Sequence, residues 1–195
     1  AVLGVFERVT ETMAFAHEAG VVHRDLKPSN VMVGKFGEVL VLDWGVARVM
    51  AADASGGTRV GTPGFMSPEQ SRGKAATGTA SDVFALGALL FWMPTGDVAP
   101  DSHDESASRL RNAAGRPPRR LTAIVLRCLA PDPSRRYTQA ADLAADLARY
   151  RAGLPVTAHR ETVLERAGHW FVKYRTFILL VAAYLVMRAM FAFLR

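Results

Sequence analysis

Between Val21 and Gly45 the chain runs VVHRDLKPSNVMVGKFGEVLVLDWG, and this stretch limits the available folds more than any other. Val31 to Val33 and Val39 to Leu42 are short β-rich runs separated by a Gly-Lys-Phe-Gly turn, the pattern of a hairpin. Polar and charged residues flank the two runs, with His23 to Asn30 before them and Asp43 after. The hairpin therefore delivers Asp43 thirteen residues after Asn30.

Helices are predicted around this unit. Val2 to Ala19 has Val5, Val9, Thr12, Met13 and Ala16 near one helical face, with Gly20 at a C-cap position. Asp43 to Glu69 is rich in Gly, Ser, Thr and Pro without periodicity. A loop of that length inside a domain is usually functional. Ser81 and Asp82 are expected to cap an apolar helix through Met93, stopped by Pro94 and Gly96. Leu121 to Leu129 and Thr138 to Tyr150 predict two more helices. DVAPDSHDESAS (97–108) predicts a solvated excursion, and GRPPRR (115–120) a linker.

Half of the 195 residues are hydrophobic, enough for a domain with a real core and too many for a disordered chain. The single cysteine, Cys128, allows no internal disulfide and sits in an apolar run as a small buried side chain. The net charge of +6 is uneven. From Arg160 onward there are six Lys/Arg and two acids, hence +4 of the +6. That excess adjoins an apolar segment, so a membrane explains it better than nucleic acid.

The segment from Phe177 to Leu194 is apolar apart from Arg188 and, as a helix, spans about 27 Å, enough to cross a hydrocarbon core. Arg188 costs roughly 2.5–3.5 kcal/mol at a helix centre, against about 3–6 kcal/mol gained from Leu, Ile, Phe and Val. Insertion is expected, with a surface-lying helix as the alternative. Thr157 to Arg175 predicts a basic amphipathic helix, and Trp170 and Tyr174 lie where an interfacial belt would sit. The basic side is expected to be cytoplasmic.

His23 to Asn30, HRDLKPSN, matches the protein-kinase catalytic loop at every specified position. Four further stretches follow in the family's order. DWG at Asp43 resembles the family's metal-binding triplet, with Trp44 in place of the usual Phe. GTPGFMSPEQ, Gly61 to Gln70, resembles the peptide-substrate loop, with Ser67 replacing Ala. SDVFALGALL resembles the central buried helix, and DPSRRYT supplies the arginine that pairs with the loop's glutamate. The chain thus resembles the C-terminal lobe of a eukaryotic-type Ser/Thr protein kinase over residues 1–152, of the bacterial membrane-anchored kind. A juxtamembrane segment, 153–175, and a transmembrane helix, 176–194, would follow. The implied fold class is α+β, mainly α-helical, with one short β-hairpin.

The resemblance implies roles residue by residue. Asp25 would accept or orient the proton of the attacking hydroxyl, and Lys27 would place a cation at the transferring phosphoryl. Asn30 and Asp43 would hold Mg²⁺ bridging the phosphates of ATP. Asp82 would bind the catalytic-loop backbone, Thr62 would contact Asp25 and Lys27, and Glu69 would pair with Arg136. Arg24 would meet a phosphate on Ser55 or Thr58. His23 resembles a packing histidine, and His17, His103, His159 and His169 are expected to be structural or on the surface. The implied partners are protein substrates bearing Ser or Thr, the lipid bilayer and a homodimer mate. The implied location is the inner or plasma membrane, single-pass, with the kinase side cytoplasmic.

Two departures stand out. No G-x-G-x-x-G occurs, and none of Lys27, Lys35, Lys74 and Lys173 can be the family's strand lysine. The nucleotide-gripping lobe is therefore expected upstream of residue 1, which is not a Met. The alternative is a truncated kinase-like binding or scaffold module. After TGDVAP the chain is shorter than is usual in the family, which leaves partner docking open.

Overall fold

In the computed structural model, residues 2–49, 61–73, 78–100, 102–113 and 115–159 are described. Helix α1 (Val2–Glu18) leads into strand β1 (Val21–Val22), a 3₁₀ turn (Pro28–Asn30), β2 (Val31–Val33), β3 (Val39–Val41) and β4 (Arg48–Val49). A short α2 (Pro68–Ser71) follows, then α3 (Thr79–Thr95), α4 (His103–Asn112), α5 (Arg119–Cys128), a 3₁₀ turn (Pro133–Arg135) and α6 (Ala140–Arg151). This is a mainly helical unit with two antiparallel two-stranded sheets, β2–β3 and β1–β4.

Helix α3 is the centre. Its sequence is apolar on nearly every side, and such a helix has to be surrounded by protein. Val83 and Ala85 through Phe91 are all buried. Helices α1, α4, α5 and α6 all contact it. The approach to α5 is close enough that a Cβ on Gly87 would overlap the Cβ of Cys128. Cys128 is fully buried, and burial pushes its thiol far up, so it stays a neutral packing group.

Several local expectations change in the folded chain. Helix α1 buries Phe6, Val9, Thr10, Met13, Ala16 and His17. The face is turned by about one residue from the expected one, because the stripe centres on the large Phe6 and leaves Val5 and Thr12 half-buried. Helix α3 begins at Thr79, with Gly78 as N-cap, so Ser81 and Asp82 lie inside it rather than capping it. Pro94 does not stop α3. In the last turn it removes only one intrahelical bond, and the helix ends at Gly96, left-handed at φ 73°, whose N–H donates to Trp92 O.

Four of these elements were not expected, namely β1, β4, α2 and α4. Helix α4 begins inside the stretch predicted as a solvated excursion and runs beyond it, capped by the Ser102 side chain, with Asp104 and Glu105 in its first turn and Arg109 and Arg111 in its last. Only Ser106 and Leu110, four residues apart, are buried, so no apolar periodicity announced it. Strand β4 sits in the long loop and pairs Val49 with Val21 and Arg48 with Val22. Helices α5 and α6 begin two residues either side of the expected starts, at Arg119 and Ala140. Among the described residues no helix is long and apolar enough to cross a membrane. The expected span at 176–194, Ser55, Thr58 and Lys74 lie outside the described residues.

One ion pair ties α2 to the base of the unit. Arg136 donates to both Glu69 oxygens at 2.7 and 2.9 Å, with the two side chains 0% and 7% exposed. Its remaining N–H groups reach Ala130 O, Ala80 O and Pro131 O, and Ser81 Oγ donates to Glu69 at 2.8 Å. All five guanidinium protons are thereby used and both carboxylate oxygens accept, the condition under which a buried ion pair is tolerated. Removing one partner leaves the other charge buried. Glu69→Ala or Arg136→Ala is expected to lower unfolding free energy by about 3–5 kcal/mol; unchanged melting temperatures in both would reject this.

The pair also sets a pH dependence. Burial pushes the Glu69 carboxyl up, but the hydrogen bonds and charge of Arg136, a backbone hydrogen bond and the Ser81 hydroxyl together outweigh it and bring the pKa from 4.5 down to about 2. A carboxyl held below its unfolded value contributes stability above that value and loses it as pH falls through the folded one. Denaturant midpoints should therefore fall between about pH 5 and pH 2, and Glu69→Gln should flatten that fall. An equally steep fall in Glu69→Gln would assign it to other groups.

Candidate functional site

The loop from His23 to Asn30 follows a strand of two residues, so little sheet hydrogen bonding holds it. Asp82 on α3 replaces that bonding. Its Oδ2 accepts from His23 N at 2.8 Å and from His17 Nε2 at 3.0 Å, and its Oδ1 accepts from Arg24 N at 2.9 Å. The other ring nitrogen of His17 accepts from Ala140 N at 3.2 Å, which leaves Nε2 as the donor to Asp82. His23 Nε2 donates to Leu42 O at 3.0 Å, and its Nδ1 accepts from Asp25 N. Trp44 lies against the His23 ring, with centroids 4.6 Å apart, and donates its indole N–H to Val41 O.

This scaffold holds Arg24 at φ 73°, a conformation that costs a non-glycine residue about 1–3 kcal/mol. Asp25 follows, half-buried. Lys27 Nζ donates to Asp25 Oδ2 at 2.8 Å and to Thr62 Oγ1 at 2.9 Å, and Thr62 Oγ1 donates to Asp25 Oδ1 at 2.7 Å. A carboxylate, an ammonium and a hydroxyl thus close a triangle from two distant segments. Partial burial pushes the Asp25 carboxyl up, but the hydrogen bonds from Lys27 and Thr62 outweigh it and hold it below the usual carboxylate range.

Asn30 folds back over the same loop. Its Nδ2 donates to Asp25 O at 2.8 Å, which leaves Oδ1 as an acceptor, and its backbone O accepts from Leu42 N. The hairpin return therefore sets Asp43 beside this end of the loop, exposed and at φ 62°. One carboxylate and one amide oxygen make a sparse donor set. No cluster of three or more His, Cys, Asp or Glu suited to a metal occurs among the described residues. That set fits Mg²⁺, which takes one or two carboxylates and fills its octahedron with phosphate and water oxygens.

The substrate-loop stretch is anchored on both flanks. Gly61 adopts φ 129°, and a Cβ there would press on Arg24 O and Met66 at 3.1 Å. Ser67 caps α2 in a reciprocal box with Gln70. Ser81, expected only as a helix cap, bonds Glu69, and Gln70, which reaches Arg24 O, was given no role from the sequence. The Ser-Pro-Glu-Gln capping pattern is the one signal that could have marked Gln70.

Comparison with known proteins agrees with this arrangement. The protein kinase domain family model matches residues 2–148. The serine/threonine-protein kinase PknD of Chlamydia caviae is 33% identical over 181 residues, covering 78% of this chain and 19% of that protein. Serine/threonine-protein kinase PknB of Mycolicibacterium smegmatis is 35% identical over 157 residues, covering 73% and 25%, respectively. PknB of Mycobacterium tuberculosis is 36% identical over 163 residues, covering 76% and 26%. The chain therefore spans about a fifth to a quarter of the length of these relatives. With the family model covering most of its length, the chain belongs to the protein kinase domain family, in the company of bacterial eukaryotic-type Ser/Thr kinases.

Proposed function

We propose that this chain carries the catalytic-loop lobe of a serine/threonine protein kinase, which transfers the γ-phosphoryl of ATP to Ser or Thr hydroxyls of proteins. The observation that carries this reading is the closed triangle of Asp25, Lys27 and Thr62, with Asn30 folded back onto Asp25 O. The printed names of the relatives support the reaction class. The elements that grip the nucleotide are not in this sequence, which has no G-x-G-x-x-G and no suitable strand lysine. In this reading they are supplied by residues outside it.

Each residue then has a task set by its surroundings. Asp25, kept ionised by its two donors, still has lone pairs on both oxygens and accepts the hydrogen bond of the substrate hydroxyl. It aims that oxygen at phosphorus and takes its proton as the new P–O bond forms and the bond from the γ-phosphorus to the bridging oxygen breaks, releasing ADP. Lys27 supplies positive charge where the phosphoryl oxygens gather negative charge. Thr62 ties the substrate loop to the base. Asn30 Oδ1 and the Asp43 carboxylate would hold Mg²⁺, which when bound neutralises charge on the nucleotide phosphates. The apolar segment 176–194, flanked by basic residues, would anchor the protein as a single span in the inner or plasma membrane, with the kinase side cytoplasmic.

In the full-length protein Asp25→Asn is expected to lower kcat for a Ser/Thr substrate by about 10²–10⁴-fold while leaving the fold intact. Full activity in that variant would sink the assignment, and inactivity of the wild type would favour a kinase-like binding module. Thr62→Ala removes one of the two donors that hold the Asp25 carboxyl low, so its pKa rises. The acidic limb of the kcat/KM profile should move to higher pH. A limb that stays in place would show that Asp25 does not govern it.

A further inference from the structure

The Arg24–Asp25 peptide presents both of its polar groups to protein. Its N–H, that of Asp25, donates to His23 Nδ1 at 3.3 Å, and its carbonyl, that of Arg24, accepts from Gln70 Nε2 at 2.8 Å. On the preceding side, Arg24 N donates to Asp82. Arg24 is the left-handed residue of the loop, so the plane of the peptide that follows it sets where the Asp25 side chain points. Two contacts oppose rotation of that plane: one comes from within the loop, and the other from α2, in a segment 46 residues away.

Gln70 is itself fixed. It is buried, its Oε1 accepts from Ser67 N at 3.1 Å and from Ser67 Oγ at 3.0 Å, and its backbone N donates to Ser67 Oγ. The amide therefore has two ends with two jobs. The oxygen closes the cap of α2, and the nitrogen reaches the loop that carries Asp25. A capping box needs only the oxygen, and Glu serves it as well as Gln. The nitrogen has no part in the cap, so its bond to Arg24 O requires a separate account.

We infer that Gln70 is a positioning residue for Asp25: its amide nitrogen fixes the Arg24–Asp25 peptide plane and thereby couples the folded state of the substrate loop to the orientation of the carboxylate. The inference rests on the proposed phosphoryl-transfer reading for its kinetic consequence, but not for its structural one. A substrate loop that lost its fold at Ser67 would release Gln70, and with it the peptide that aims Asp25.

Gln70→Glu separates the two jobs, because it keeps the cap acceptor and replaces the donor toward Arg24 O with an acceptor. Amide hydrogen exchange, followed by NMR on the 195-residue chain, should then speed up roughly tenfold at Asp25, the scale of one lost hydrogen bond. The backbone N–H of residue 70, which donates to Ser67 Oγ inside the cap, should keep its wild-type rate. In the full-length protein the same variant should lower kcat about tenfold and leave KM for Mg-ATP unchanged. Unchanged exchange at Asp25 overturns the inference, as does a loss that appears in KM alone. Should Gln70→Glu fail to fold, Gln70→Met is measured the same way; failure of both to fold marks Gln70 as purely structural and also overturns it. Should the wild type transfer no phosphoryl group, the functional reading fails, and the exchange arm still decides the positioning role.

Discussion

The site depends on one buried carboxylate. Asp82 sits on α3, the most enclosed helix, and collects donors from His17, His23 and Arg24. A lone charge in that position would be costly, and three hydrogen bonds offset the cost. The exchange benefits the loop more than the helix. The N–H groups of His23 and Arg24 lie just past a two-residue strand, where no ladder can satisfy them, and buried backbone donors must find a partner. Asp82 is that partner, and its placement permits Arg24 to hold a left-handed backbone. Asp25, Lys27 and Asn30 inherit their positions from it.

A second constraint works from the other side. Arg136 and Glu69 hold α2 against the turn between α5 and α6, while Ser81 joins the pair to α3. The substrate-loop stretch is thus fastened at its C-terminal end to the same helix that fastens the catalytic loop. Thr62, nearer its N-terminal end, reaches Asp25 and Lys27 directly. Two loops with little regular structure therefore share one rigid support, and their polar side chains meet at hydrogen-bond distance. A site built on loops keeps its geometry only when each loop is tied down in this way.

Much of the site was legible in the chain because its spacing is local. The run from His23 to Asn30 to Asp43 requires only a short loop and a hairpin, and the hairpin forms with the register Val31–Val41 and Val33–Val39. The apolar run after Asp82 announced a buried helix. The pairing of Glu69 with Arg136, 67 residues apart, came from resemblance to a family, since no pattern within one sequence marks a contact at that range. Helix α4 escaped notice because its buried face consists of one serine and one leucine. Strand β4 escaped because two residues give no alternation to detect.

The sequence by itself determined the identity and order of the chemical groups: the Asp-x-Lys loop, the hairpin, Asp43 after it, the apolar central helix and the basic apolar C-terminal segment. These follow from periodicity and short-range spacing, which act over a few residues. Tertiary structure alone decided what holds those groups in place. His17 reaches Ala140 across 123 residues, Asp82 reaches His23 across 59, and Gln70 reaches Arg24 across 46. Such bonds exist only after the helices have packed and excluded water, because an unfolded chain satisfies the same donors and acceptors with solvent.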